Sequence, residues 1–204
     1  MKKVIILLLF CCFAKSNLYA KWPYFVECDN GRFGFIEKSG NMIISCEKGY
    51  DVARDYSEDF AAVSRGEKNG FIDKTGKEVI PIKYDWVYSF SENLAVVNRA
   101  DKCGFVDKTG KEVIKCQYED AWSFSEGLAV VSRNDKSGFI DKTGALVIPC
   151  KYDEASPFSE GLAVVVTAKG SGFIDKTTFI RTIYYCQIFR RFGGGSNCQR
   201  KRLY

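Results

Sequence analysis

An all-β fold, a tandem array of small antiparallel meanders, is predicted by three features of this 204-residue sequence. The phrase Gly-Phe-Ile or Gly-Phe-Val recurs at Gly34, Gly70, Gly104, Gly138 and Gly172, first after 36 residues and then every 34. A fixed period of this length marks a repeat architecture. Each period also holds short β-branched and aromatic runs, such as Leu94-Ala95-Val96-Val97 and Phe71-Ile72-Asp73, which favour strands. Between those runs the same turn returns, Asp-Lys-Thr-Gly at Asp73, Asp107 and Asp141, with Glu37-Lys38-Ser39-Gly40 as its first copy. One such unit buries too little apolar surface to stand alone, so units must stack and share a core. The stack is expected to be an open superhelix of units of about 34 residues with three strands each. A closed, propeller-like array is the alternative, and about four and a half units are few for closure.

The first twenty residues stand outside the array. Lys2-Lys3 is followed by an apolar run from Val4 to Ala14 and a polar exit ending Leu18-Tyr19-Ala20. That is the layout of a secretory signal, with the mature chain beginning near Lys21. The run falls short of the roughly 20 residues of a spanning helix. Phe10 before Cys11 does not suit a lipoprotein signal. An exported protein is therefore expected, periplasmic, surface-bound or extracellular, with no membrane span after signal removal.

The array itself occupies 21–176. Trp22-Pro23-Tyr24-Phe25-Val26 is its first strand, placed about ten residues before Gly34, as Leu94–Val97 lies before Gly104. The anchor strand follows, then the turn. There the carboxylate can accept a bond from the backbone two residues on, and the glycine takes the left-handed conformation. A third strand comes next, Glu78-Val79-Ile80-Pro81-Ile82 and its counterparts, and its proline argues for a strand end or a sheet edge. From Tyr84, Tyr118 and Tyr152 to Phe90, Phe124 and Phe158 runs an irregular connection. It closes on Ser-Glu-Asn or Ser-Glu-Gly turns. The two extra residues of the first unit fall in a loop between Cys46 and Tyr50. After Lys176 the pattern stops, and Thr178 stands where the turn glycine belongs. Residues 177–204 form an atypical basic tail, for which a terminal cap and a slipped reading frame are the two explanations. The second would leave it disordered and this chain a truncated piece of a longer array.

Charge and composition narrow the function classes. The chain carries 30 basic and 25 acidic residues, and loss of Lys2, Lys3 and Lys15 leaves 27 basic. Seven of these lie between Lys176 and Tyr204, where no acidic residue occurs, so the body from Lys21 to Asp175 is mildly acidic. It offers no footprint for nucleic acid. There is no histidine, hence neither the commonest general base nor the commonest metal ligand. Nine cysteines suit an exported chain, and two lie in the signal. Cys46, Cys116 and Cys150 share one repeat position with Ile82. The isoleucine points to an apolar site for that column, and a Cys116–Cys150 bridge is the alternative. No CxxC pair indicates zinc.

Asp-Lys-Thr-Gly resembles the phosphorylated-aspartate signature of P-type ATPases. It recurs here three times at one phase, in a chain with no room for their other domains, and is read as a hairpin turn. A calcium ladder of Asp73, Asp107 and Asp141 is not expected either, because each turn offers one carboxylate followed by a lysine. No catalytic, metal or cofactor-binding residue is assigned, and an enzyme is not expected. A hydrolase using paired carboxylates is the competing class. Nearly every acidic residue recurs at one phase, as Glu92, Glu126 and Glu160 do, whereas a catalytic site needs different groups at different places. Trp86, Tyr88 and Trp122, in the least constrained part of the period, are the candidate partner-binding residues. Packing between neighbouring units is their other reading.

The phrases Gly-Phe-Ile-Asp-Lys-Thr-Gly-Lys-Glu-Val-Ile-Pro, Lys-Tyr-Asp and Phe-Ser-Glu-Gly-Leu-Ala-Val-Val resemble the bacterial WG-containing repeat, also called KWG. The resemblance spans Trp22 to about Lys176. It departs at the name-giving tryptophan, where Phe33, Asn69, Cys103, Ser137 and Ser171 stand instead. It implies an all-β repeat array with a binding or scaffolding role toward protein or carbohydrate partners, and no catalytic residues to carry over.

Overall fold

The computed structural model describes residues 23–176 and the backbone of two further strands, 182–186 and 198–202. The predicted signal (1–20) and the rest of the basic tail lie outside the described residues. Among those described, no helix is long and apolar enough to cross a membrane.

Five antiparallel sheets follow one another in chain order. The first holds β1 (Tyr24–Glu27), β2 (Phe33–Ile36) and β3 (Met42–Ile44). A single 3-10 turn, Cys46–Lys48, takes up the two extra residues of the first unit. The second sheet is β4 (Val52–Ala53), β5 (Phe60–Arg65), β6 (Lys68–Asp73) and β7 (Glu78–Tyr84). The third is β8 (Trp86–Val87), β9 (Leu94–Arg99), β10 (Lys102–Asp107) and β11 (Glu112–Tyr118). The fourth is β12 (Asp120–Ala121), β13 (Leu128–Arg133), β14 (Lys136–Asp141) and β15 (Leu146–Tyr152). The last is β16 (Glu154–Ala155), β17 (Leu162–Thr167), β18 (Gly170–Asp175), β19 (Thr182–Cys186) and β20 (Cys198–Arg202). No sheet closes on itself; each is an open meander in sequence order.

The predicted three-strand unit needs one correction. What reads as an irregular connection contains a two-residue strand, β8 in the third unit, that pairs with β9 through Trp86↔Asn98 and Val87↔Val97. The second, third and fourth units are thus four-stranded. Two residues are too few to show a period-two pattern, so only the pairing reveals the strand. The prolines fall as predicted: Pro81 and Pro149 lie in β7 and β15, edge strands that spare a proline the missing N–H.

The anchor glycines owe their identity to the neighbouring strand. Cys103 pairs with Tyr118, but Phe105 pairs with Ile114, so Lys115, Cys116 and Gln117 bulge across Gly104 alone. A Cβ on Gly104 would lie 2.5 Å from the Ile114 carbonyl oxygen and 2.6 Å from the Cys116 nitrogen. Gly70 and Gly138 meet Ile80 and Ile148 in the same way. The column of Cys46, Ile82, Cys116 and Cys150 lies at this bulge. Cys116 and Cys150 are free, half-buried thiols packed against the core clusters, so the apolar reading of the column holds for them. Cys46 differs: it is bridged to Cys28, which lies outside the column.

The core lies between units. Leu94, Val96 and Phe105 on one face of the third sheet cluster with Ala129, Val131 and Ile140 of the fourth. Leu128, Val130 and Phe139 cluster likewise with Ala163, Val165 and Ile174 of the fifth. An aromatic ring of the following unit wedges onto the anchor phenylalanine before it, Tyr56 on Phe35 and a phenylalanine at the next three junctions. The Phe105–Phe124 ring centroids are 4.9 Å apart, and those of Phe139–Phe158 5.0 Å. Such edge contacts add to the burial of the rings.

Candidate functional site

Along one row of the array the same backbone geometry presents a different side chain in each unit. The N–H groups of Arg54, Tyr88, Trp122 and Ser156 donate to the carbonyls of Ala62, Val96, Val130 and Val164, at 2.8–3.0 Å. All four residues follow the short strand of their sheets, and successive ones are 34 residues apart. Alternation along Trp86-Val87-Tyr88 turns Val87 inward and places Trp86 and Tyr88 on the opposite side. Tyr88 is 37% exposed and Trp122 48% exposed, so the middle of the row carries two large accessible rings in neighbouring units.

Trp86 stands differently. It is half-buried and packs against the core cluster of the third and fourth units. Its ring centroid lies 5.1 Å from that of Tyr88, with the planes tilted by 50°. The structure thus brings Trp86 and Tyr88 together and places Trp122 at Tyr88's position one unit on. Ring-to-ring support limits the rotamers open to Tyr88, which lowers the entropic cost of engaging a ligand there.

The repeated carboxylates have structural partners. In the turns, Asp73, Asp107 and Asp141 each accept bonds on one oxygen from the threonine hydroxyl (2.6 Å) and from two backbone amides. The Thr143 hydroxyl is the main reason Asp141 titrates below its ordinary value. Partial burial pulls Asp73 and Asp107 the other way, but the same threonine and amide donors outweigh it. At the hairpin ends, Asp51, Asp85 and Glu119 cap the turn amides of Gly66, Ala100 and Asp135.

A third set joins unit to unit, and sequence reasoning took it for turn chemistry alone. Glu58 accepts from the Asn93 amide, Glu92 from the Gly127 amide and Glu126 from the Gly161 amide, each 35 residues on. The turn lysine of that next unit approaches the same glutamate: Lys108 Nζ is 3.3 Å from Glu58, and Lys142 Nζ is 3.1 Å from Glu92. Lys176 donates to the Glu126 carbonyl. Beside them the hydroxyls of Ser57, Ser91 and Ser125 donate to the carbonyls of Phe90, Phe124 and Phe158 at 2.7–2.9 Å. The lysine read as hostile to calcium is thus an inter-unit partner. The recurrence of Ser-Glu at the same phase as Asp-Lys was the signal available for that pairing.

At the position before each anchor glycine the substitutes for tryptophan make local contacts. Asn69 donates to the Asp85 carbonyl at 2.9 Å, and Asn98 donates to Cys103 Sγ at 3.4 Å. The Ser137 and Ser132 hydroxyls lie 3.3 Å apart, and Phe33 meets Phe25 edge-on. The sequence pattern of the WG containing repeat matches residues 33–68, 70–103, 104–136 and 138–168. This chain belongs to the WG containing repeat family. No curated protein shows a significant sequence match to this WG repeat chain. Among solved structures, it is similar to the computationally designed Ika4 protein, at 14% identity and a TM-score of 0.42, over 59% of this chain and 87% of that one. It is similar to a eukaryotic initiation factor at 12% identity and a TM-score of 0.47, over 72% of this chain and 48% of the other. A plant lectin with two metal binding sites from Cicer arietinum gives 13% identity and a TM-score of 0.28, over 71% and 91%.

Proposed function

We propose that this WG repeat chain is an exported binding or scaffold module without a catalytic site, engaging a protein or glycan partner through Tyr88 and Trp122. The observation that carries the proposal is the repetition of an exposed aromatic ring at one backbone position in two successive units. A ligand lying across the third and fourth units meets a ring at the same backbone position in each. Such rings stack on sugar faces or anchor a peptide at low entropic cost. Trp86 holds Tyr88 from behind.

The non-catalytic part of the reading is supported by the carboxylates. Those of the turns, of the hairpin ends and of the unit junctions are engaged in repeating structural bonds. The turn carboxyls titrate below their ordinary value, whereas a general acid needs a raised one. Export is supported by the layout of residues 1–20, and N-terminal sequencing that finds Lys21 or its near neighbour first is the matching check.

The test immobilises the exported protein and offers it a panel of oligosaccharides in one arm and the proteins of its own extracellular medium in the other. Tyr88→Ala and Trp122→Ala are each expected to weaken the captured ligand at least about tenfold, and the double variant to abolish capture. Ligand binding unaffected by the double variant overturns the assignment of the row. Turnover of any ligand, lost on changing a single carboxylate, overturns the non-enzymatic reading.

A further inference from the structure

The two ends of the described array present the two halves of one interface. On the last unit, Leu162 is 42% exposed, Val164 39% and Phe173 38%. Their equivalents Leu128, Val130 and Phe139 are buried by the following sheet. Above them, the Ser159 hydroxyl and the Glu160 carboxylate, both exposed, meet no hydrogen-bond or ion-pair partner among the described residues, whereas the Ser159 backbone closes its own turn with Leu162. Ser125 and Glu126, one unit earlier, reach the Phe158 carbonyl and the Gly161 amide. Polar and apolar groups of the junction are therefore both in place, in the register that the inner junctions use, with nothing described upon them.

The first unit carries the opposite half. Register places Tyr24, Val26 and Ile36 where the fourth unit has Ala129, Val131 and Ile140. The latter three are fully buried, whereas Tyr24, Val26 and Ile36 are only half-buried. Lys38 is exposed at the turn position of Lys108 and Lys142, the lysines that approach the preceding unit's glutamate. The seat departs in two ways: Tyr24 replaces alanine and makes it bulkier, and the described part of the first unit holds no counterpart of the wedge phenylalanine, Phe124 or Phe158, that packs on the anchor ring before it.

We propose that this chain associates head to tail with a second copy of itself, the Leu162–Val164–Phe173 face of one seating on the Val26–Ile36 face of the next. Glu160 then pairs with Lys38 across the junction, as Glu92 pairs with Lys142 within the chain. Continuity with the internal junctions and the matched charges at its rim single out this occupant. The contact is heterologous, so it propagates as an open assembly unless the rotation per chain closes a ring.

Sedimentation velocity and light scattering on the exported protein, from micromolar upward, test this. Species that lengthen with concentration are expected. Val164→Glu should weaken assembly at least about tenfold by placing a charge in the contact. Glu160→Lys alone and Lys38→Glu alone, both at exposed positions, should each weaken it, while a mixture of the two variants should restore it, because every junction between unlike chains is then oppositely charged. A chain monomeric at all concentrations overturns the proposal, as does assembly indifferent to Val164→Glu. Assembly lost with Val164→Glu but intact with Lys38→Glu indicates a back-to-back contact and also overturns it. If association begins only on deletion of residues 177–204, the chain's own C-terminus is the occupant, and the second-copy reading is refuted.

Discussion

Replacing Gly104 by alanine tests why the repeat is anchored on glycine at all. The added methyl would lie 2.5 Å from the Ile114 carbonyl oxygen and 2.6 Å from the Cys116 nitrogen, both backbone atoms of β11. Relief requires β11 to move by roughly 1 Å, given an ordinary carbon contact of about 3.5 Å. Overpacking of this kind costs about 1–3 kcal/mol. Stretching the bulge's ladder bonds adds about 0.5–1.5 kcal/mol for each bond weakened. A total of about 3–4 kcal/mol lowers Tm by about 6–15 °C for an array of this size. The control is Gly127→Ala. No atom lies within 4 Å of a Cβ there, but φ is +82°, so the cost is backbone strain of about 1–2 kcal/mol. Thermal unfolding ranks the two, and hydrogen exchange should show the Gly104 damage concentrated in β10 and β11. Equal destabilisation by the two substitutions, or none from Gly104→Ala, would refute the steric account of the anchor.

Acid should weaken the turns: the native pKa of Asp73, Asp107 and Asp141 lies below the ordinary 3.8, so their contribution is complete above that value and is lost as pH falls through the lowered ones. Tm is expected to be nearly flat from about pH 5 to 8 and to drop below about pH 4, with Asp141→Asn flattening part of the drop in a calorimetric pH series. Changing both Cys28 and Cys46 to alanine opens a bridge across a sequence separation of 18 and should cost the first unit about 3 kcal/mol. Limited proteolysis before Tyr50 reads that loss, and unchanged resistance would count against the bridge.

Much of this architecture was legible because it is periodic. The anchor strand, its turn and the third strand announce themselves through Phe105, Asp107 and Val113 and their equivalents at a constant phase. What escaped lacks periodicity or lies outside the repeat. Trp86-Val87 is too short to alternate visibly, and its strand exists only through pairing with Val97 and Asn98. Cys28 belongs to no repeat column, so its bond to Cys46 leaves no mark in the spacing. The candidate row was half legible. Sequence singled out Trp86, Tyr88 and Trp122 together, but residue type alone does not tell a supporting ring from a presenting one. Trp86 and Tyr88 share one side of their strand, and the distinction rests on the core cluster of the third and fourth units, which takes up Trp86 and leaves Tyr88 exposed. Ser91 and Glu92 were read as a local turn because their partners, Phe124 and Gly127, lie a full unit away.

The span of those junction bonds also bears on how the chain acquires its structure. The serine and glutamate links reach forward 33 and 35 residues, and the lysine approaches join Glu58 to Lys108 and Glu92 to Lys142, a span of 50. Every junction is completed by chain that emerges soon after the unit it docks upon. Loop closure over such distances is entropically inexpensive and does not grow as the array lengthens. A chain delivered end first, from a ribosome or through a membrane pore, can therefore crystallise onto its own leading units one sheet at a time.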